Sequence, residues 1–235
     1  MQLPYFYAPF LGTKSSNLGL EEDTARHIAQ VLRMKEGDCI HLTDGKGRVA
    51  TAKITSIGKK TCDVFLNDIK EFPPTNKNIT IAVSLLKNAG RFEWLLEKSA
   101  ELGINSIVPL ICQRTERQQF RQDRLQNILI SAMLQSRQAW LTVLPSPIAF
   151  MEFIQETTFE NRYVAHCEEA EKINLSDFIK PNQKDSLVLI GPEGDFTMDE
   201  IRTAIEKGFK PVSLGYTRLR TETAAITAAV ICVQY

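Results

Sequence analysis

Ile79-Thr80-Ile81-Ala82-Val83-Ser84-Leu85-Leu86 is followed by a helical pattern from Arg91 to Leu102, a stop at Gly103, and a second apolar run from Ile104 to Leu110. Each short apolar run reads as a buried strand, and Phe92, Leu95, Leu96 and Ser99 between them recur at the spacing of one helix face. Strand, helix and strand in that order form a βαβ unit. The pattern continues with strands expected at Arg162 to His166, Ser186 to Ile190 and Pro211 to Leu214. Helices are expected at Arg124 to Arg137, Thr197 to Lys207 and Glu222 to Val233. Such alternation predicts an α/β domain with a mostly parallel sheet. Thr197 with Glu200 three residues on is a capping-box pattern, so a helix should start just past Phe196.

Upstream the periodicity differs. Asp38 to Leu42, Val49 to Ile54 and Cys62 to Leu66 read as short strands separated by glycine-containing turns, with Asp44-Gly45-Lys46-Gly47 as a hairpin turn. One helix is expected from about Glu21 to Leu32, with Ala25, Ile28, Ala29 and Leu32 on its apolar face. This region reads as a small β-barrel of residues 1–72. Phe72-Pro73-Pro74-Thr75-Asn76-Lys77-Asn78 has the composition of a linker, placing a boundary at 73–78 and the α/β domain at 79–235.

Composition sets outer bounds. The 235 residues are 43% hydrophobic and 24% charged, which is ordinary for a globular protein and excludes disorder as the main state. Lys plus Arg and Asp plus Glu are both 28, so any nucleic-acid surface must come from local segregation of charge. Five isolated cysteines without C-x-x-C spacing offer neither a disulfide framework nor a zinc site, and fit a reducing cytosol. No signal-peptide pattern and no membrane-length apolar run is present, so a cytoplasmic protein with no membrane partner is expected. His27, His41 and His166 have no metal-ligand spacing, and no metal is expected.

Two stretches place polar and glycine residues directly after expected strands, where open α/β sheets bind ligands. In Leu189-Ile190-Gly191-Pro192-Glu193-Gly194-Asp195-Phe196 the glycines permit a sharp turn and close backbone approach. The same residues also suit a plain strand-to-helix connection with a solvated Glu193. No Lys-Ser/Thr follows, which excludes a Walker loop, and the chain has no G-x-G-x-x-G fingerprint. In Leu214-Gly215-Tyr216-Thr217-Arg218-Leu219-Arg220-Thr221-Glu222-Thr223-Ala224, Thr221 or Thr223 can cap the following helix. Arg218 and Arg220 lie just ahead of it, as phosphate-binding or oxyanion-holding arginines do, or as a solvated pair. Arg114, Arg117, Arg121 and Arg124 would share one face if helical, suited to a phosphate backbone or simply to solvent.

Taken together these features resemble the RsmE family of 16S rRNA uracil-N3 methyltransferases of the SPOUT class. The resemblance runs over nearly the whole chain. It is carried by His27, Val31-Leu32-Arg33 and Gly37-Asp38, by Lys87, Lys98, Glu101-Leu102-Gly103 and Thr115-Glu116-Arg117, by Gln135-Ser136-Arg137, and by the two loops above. It implies a PUA-like N-terminal barrel, a C-terminal domain with a trefoil knot, S-adenosylmethionine as methyl donor with S-adenosylhomocysteine as product, and a homodimer. The implied partner is 16S rRNA or the small ribosomal subunit. Two places depart from the family pattern: Asp195 stands where a second glycine is usual, its side chain expected to point away from the ligand, and Leu134-Gln135-Ser136-Arg137 lacks the acid usual at Leu134 and the glycine usual before Arg137.

On that resemblance the donor is expected among His166, Ile190, Gly191, Pro192, Glu193, Gly194, Leu214, Gly215, Leu219, Thr223 and Ala224. RNA is expected to meet Arg33, Arg114, Arg117, Arg121, Arg124 and Arg137. Arg218 or Arg220 would hold the uracil anion, with Glu222 or Glu193 orienting that arginine or accepting the proton. A SPOUT enzyme acting on a ribose 2'-hydroxyl or another base is the second reading, and a catalytically silent RNA-binding factor the third.

Overall fold

In the computed structural model, which describes residues 3–116, 119–169, 172–181 and 183–234, the chain divides into two units. One comprises Met1–Pro74 with Met133–Leu141, the other Thr75–Ala132 with Thr142–Tyr235.

The first unit carries β1 (Tyr5–Tyr7), β2 (Asn17–Gly19), β3 (Cys39–Thr43), β4 (Arg48–Ile57) and β5 (Cys62–Glu71), paired in the order β1-β3-β4-β5-β2. All neighbours are antiparallel except β1 and β3. Alternation along the two long strands sends Ala50, Ala52 and Ile54 of β4 and Cys62, Val64 and Leu66 of β5 into one core. The turn between β3 and β4 is held by Asp44, whose Oδ1 accepts hydrogen bonds from Lys46 N (2.7 Å) and Arg48 N (3.0 Å). Gly47 there has φ 97°, and a Cβ on it would fall 2.6 Å from the Trp140 ring, so only glycine fits. Trp140 is further fixed by Nε1, which donates to the Phe72 and Pro73 carbonyls, both at 3.2 Å.

The expected Glu21–Leu32 helix forms as α1 (Glu22–Arg26) running into a π-helical turn, His27–Val31. The wider turn changes which residues face inward. Ala25 and Ile28 are fully buried as the spacing predicts, whereas Leu32 is 42% exposed. The Leu32 amide bonds back to His27 O at 3.0 Å, five residues away.

The second unit alternates strands and helices: β6 (Asn78–Ser84), α2 (Ala89–Glu101), β7 (Ser106–Ile111), α3 (Gln122–Ser136), β8 (Ile148–Ala149), α4 (Phe150–Glu156), β9 (Arg162–Ala165), β10 (Ile173–Asn174), α5 (Leu175–Phe178), β11 (Asp185–Ile190), α6 (Met198–Glu206), β12 (Lys210–Ser213) and α7 (Thr221–Gln234). Its sheet has seven strands in the order β10-β12-β9-β11-β6-β7-β8, every pair parallel. The fold class is therefore α/β with a parallel sheet. Parallel strands covered on both faces read as continuous apolar runs, and Ile81, Ala82, Val83, Leu187, Val188 and Leu189 are all fully buried. Helix α2 buries Phe92, Leu95, Leu96 and Ser99, the face its spacing predicts, and Asn88 caps it by accepting from Gly90 N at 2.9 Å. Among the described residues no helix is long and apolar enough to cross a membrane.

The strand order matters for function. Strand β11 enters between β6 and β9, so β12, β9 and β11 lie side by side and the loops at their carboxyl ends converge. Residues 112–116 and 119–121 are not helical. The shared face sketched for Arg114, Arg121 and Arg124 does not form, because a turn closed by Thr115 N to Cys112 O (3.1 Å) follows β7 and α3 starts only at Gln122. Arg117 lies outside the described residues.

Candidate functional site

The three convergent loops enclose a cavity of about 720 Å³. Each loop is fixed by its own bonds. After β9, Lys172 Nζ donates to the carbonyls of His166 (2.7 Å) and Glu168 (2.8 Å). After β12, Gly215 N donates to Ser213 Oγ at 3.2 Å, and Ala224 N bonds back to Arg220 O at 2.7 Å to begin α7. Thr221 and Thr223 sit inside that helix, so it is Arg220 that occupies the residue before it.

The loop after β11 is the most constrained. Asp195 N donates to Pro192 O (2.9 Å), while the Asp195 carboxylate accepts from Phe196 N (2.8 Å) and, across to the β9 loop, from Cys167 N (2.7 Å). Arg114 Nη1 donates to the carbonyls of Gly194 (2.6 Å) and Phe196 (3.3 Å). Glu193 is not simply solvated, since its Oε1 accepts from Lys87 N at 3.1 Å. A Cβ on Gly191 would stand 3.0 Å from Phe196 N. Behind the loop, Thr197 and Glu200 form the expected capping box and start α6.

Of the residues singled out in sequence, His166, Ile190, Gly191, Pro192, Glu193, Leu214, Gly215, Arg218, Leu219, Arg220 and Ala224 line the cavity together. Gly194 instead sits against Arg114, and Thr223 is exposed on α7. Glu222 is buried, with Oε1 3.6 Å from Arg91 Nε, rather than beside Arg218 or Arg220. Arg91, Lys172, Cys167 and Asp195 are lining residues the sequence reading did not select. Arg91 was within reach of it, because α2 begins just past the carboxyl end of β6, where the same strand-end rule applies. Nothing in the pattern around Lys172 marks it.

The arginines expected to meet RNA fall in both units. Arg33 and Arg137 are exposed with positive φ, at 53° and 58°, each just past a helical segment. Arg121 is exposed ahead of α3, and Arg124 makes a two-pronged bond to Glu93 at 2.6 and 2.9 Å that holds the Glu93 carboxyl below its usual range. Arg114 is turned onto the glycine loop.

His166 is 9% exposed and neither ring nitrogen has a hydrogen-bond partner among the described residues. Burial, and secondarily the Lys172 ammonium, holds its pKa below the ordinary 6.5, against weaker opposing pulls from Asp195 and Glu168. A neutral ring therefore faces the cavity at neutral pH. Because the folded-state value is depressed, its contribution to stability is complete above pH 6.5 and is lost as pH falls through the lowered value. Thermal unfolding across that window should decline more steeply in the wild type than in His166→Gln; parallel curves would remove His166 from the acid response.

Comparison with known proteins bears on what this cavity is for. Residues 73–233 match the family model described as an RNA methyltransferase domain, and residues 20–66 match that of an RNA methyltransferase PUA domain. Ribosomal RNA small subunit methyltransferase E of Rickettsia conorii is 30% identical over 217 residues, covering 92% of this chain and 88% of its own. The chain belongs to the ribosomal RNA small subunit methyltransferase E (RsmE) family. A probable rRNA methyltransferase of Porphyromonas gingivalis has 40% identity and a TM-score of 0.90, with 97% of this chain and 96% of that one covered. The RsmE of Neisseria gonorrhoeae, solved bound to S-adenosylmethionine, has 31% identity and a TM-score of 0.87 over the same shares.

The backbone accounts for a small polar residue at 195: Asp195 has φ 62°, the left-handed region that glycine enters freely and aspartate tolerates better than most residues. The side chain does not point away from the site, as expected from sequence, but lines it and ties two loops together. Asp195→Ala keeps the strained backbone and loses both carboxylate bonds, so it should destabilise by about 1–3 kcal/mol. Asp195→Gly relieves the strain and should cost less. Urea denaturation of both variants checks the order; equal losses would contradict it.

Proposed function

We propose that this RsmE-family chain transfers a methyl group from S-adenosylmethionine to N3 of a uridine in the 16S rRNA of the small ribosomal subunit, working in the cytoplasm as a homodimer. The observation that carries the reading is the cavity itself, formed by three loops at adjacent strand ends, in a chain whose family relative was solved with that donor.

The residues present fit the donor. Ile190, Leu214, Leu219 and Ala224 supply apolar wall for an adenine ring, and the orphaned His166 nitrogens supply a buried partner for a polar group. A volume of this size is in the range of small-ligand sites. Bound there, S-adenosylmethionine supplies a methyl carried on a positive sulfonium. The chain's task is to hold the acceptor nitrogen in line, take its proton and stabilise the charge left on the ring. Arg218 and Arg220, exposed at the cavity wall and without a carboxylate partner among the described residues, are the cations we assign to the incoming uridine. Glu193, on the opposite loop, is the carboxylate that can accept the proton.

A trefoil knot at the β11 and β12 loops, whose residues meet in one cavity, would hold the donor between loops that cannot separate. Trp94 on α2 and Val233 on α7, 44% and 37% exposed on helices that pack together, suit a homodimer face.

Incubating the protein with labelled S-adenosylmethionine and small subunits from a strain lacking the activity, then digesting the RNA, identifies the product. Labelled 3-methyluridine is expected; label on ribose or another base would replace the N3 reading with a different transfer.

A further inference from the structure

Glu222 is 7% exposed, its Oε2 has no hydrogen-bond partner among the described residues, and its Oε1 lies 3.6 Å from Arg91 Nε. An isolated buried carboxylate is strongly unfavourable, so the charge on Glu222 is tolerable only beside a fixed cation. Arg91 is that cation. Its backbone belongs to the first turn of α2, where the Asn88 side chain accepts from Arg91 N at 3.4 Å, so the side chain springs from a capped and rigid element. Unlike Arg124, whose partner Glu93 does not line the cavity, Arg91 lines it.

We infer that Arg91, oriented by Glu222, is a catalytic residue that holds one carbonyl oxygen of the target base as negative charge develops on the ring. This rests on the N3 reading, and it follows from the chemistry of that acceptor. Loss of the N3 proton spreads charge over the nitrogen and the two carbonyl oxygens flanking it. One arginine on one oxygen leaves the other uncompensated, whereas a cation on each side stabilises both and leaves the nitrogen open to the methyl. Arg218 and Arg220 come from the loop after β12 and Arg91 from α2, so the two cation sources reach the cavity from different elements. The exposed pair must be ordered when RNA arrives, but Arg91 is already paired and half-buried, which is the preorganisation that makes electrostatic stabilisation effective. Glu222 thereby has a positioning role through Arg91. The other charged groups lining the cavity are Glu193, Asp195 and Lys172; the last two are engaged with the loop backbone.

The test compares Arg91→Ala, Arg91→Lys and Glu222→Gln with wild type for kcat, KM for the subunit, donor affinity by calorimetry and thermal unfolding. Arg91→Ala should lower kcat by about 100-fold with donor affinity unchanged. The rising limb of its kcat–pH profile should move to higher pH, because removing a neighbouring cation makes the ring proton harder to lose. Arg91→Lys, a point charge without the fork, should retain part of the shift, and Glu222→Gln should show a smaller loss of kcat in the same direction. If Arg91→Ala is too unstable to assay, the lysine and glutamine variants carry the same pH signature. A wild type that makes 3-methyluridine while these variants keep its pH profile overturns the role of Arg91 alone. Weakened donor binding as the sole defect overturns it in favour of a contact to the donor. A wild type that labels ribose overturns the N3 reading itself.

Discussion

Phe196→Ala should lower stability by about 3–5 kcal/mol, the usual range for emptying a fully buried aromatic position. The side chain has no exposed surface and packs on Phe150 with ring centroids 5.2 Å apart. Its location makes the substitution more than a core defect. The Phe196 amide is held by the Asp195 carboxylate, its carbonyl accepts from Arg114, and its amide and ring lie where a Gly191 side chain would go. The ring therefore anchors the floor of the glycine loop. Donor affinity should fall by about tenfold as the glycine loop loses its seat, even where the variant remains folded. Phe196→Leu, nearer in volume, should cost less than about 1.5 kcal/mol. Urea denaturation with parallel calorimetry measures both effects. A loss under about 1 kcal/mol for the alanine variant would mean that the loop is not seated on this core.

Arg220→Ala should reduce turnover by about 100-fold while leaving donor affinity unchanged, if the residue meets charge that appears only during transfer. Arg220 and Arg218 lie on the loop that immediately precedes α7, and both are exposed cavity-lining cations. Assaying both single variants separates two roles. An arginine holding the base shows its loss in kcat. One holding a phosphate shows it in KM for RNA and in a salt dependence shallower by about one unit of slope. If neither variant lowers kcat, the cations at the mouth serve binding only, and stabilisation of the ring falls to Arg91.

The elements legible in the sequence are those with enough residues to show a period. The buried face of α2, the apolar runs of β6 and β11 and the Thr197–Glu200 box follow from spacing alone. Strands β1, β2, β8 and β10, at two or three residues each, are too short to carry alternation and exist because a neighbouring strand offers them a ladder. Leu32 was misplaced because a π-helical turn adds a residue that no propensity announces.

The site divides in the same way. Loops that follow strands can be located from the apolar runs, and most cavity residues of the β11 and β12 loops lie in them. Partnerships across the fold could not. Glu222 was read with the arginines next to it in sequence, yet it lies beside Arg91 on a different helix. Arg114 was read as a phosphate contact from a charge run, yet its guanidinium holds the carbonyls of Gly194 and Phe196. In both cases the buried or backbone partner, which spacing does not encode, decides where the charge goes.

The cavity between the three loops is the proposed donor site, and calorimetric titration of S-adenosylmethionine into wild type and Ala224→Trp is its sharpest test. Ala224 lines the cavity from the first turn of α7, so a tryptophan there fills the space without touching the loop backbone bonds. Binding to wild type and its loss in a folded Ala224→Trp variant are expected; undiminished binding to that variant would place the donor elsewhere and contradict the site.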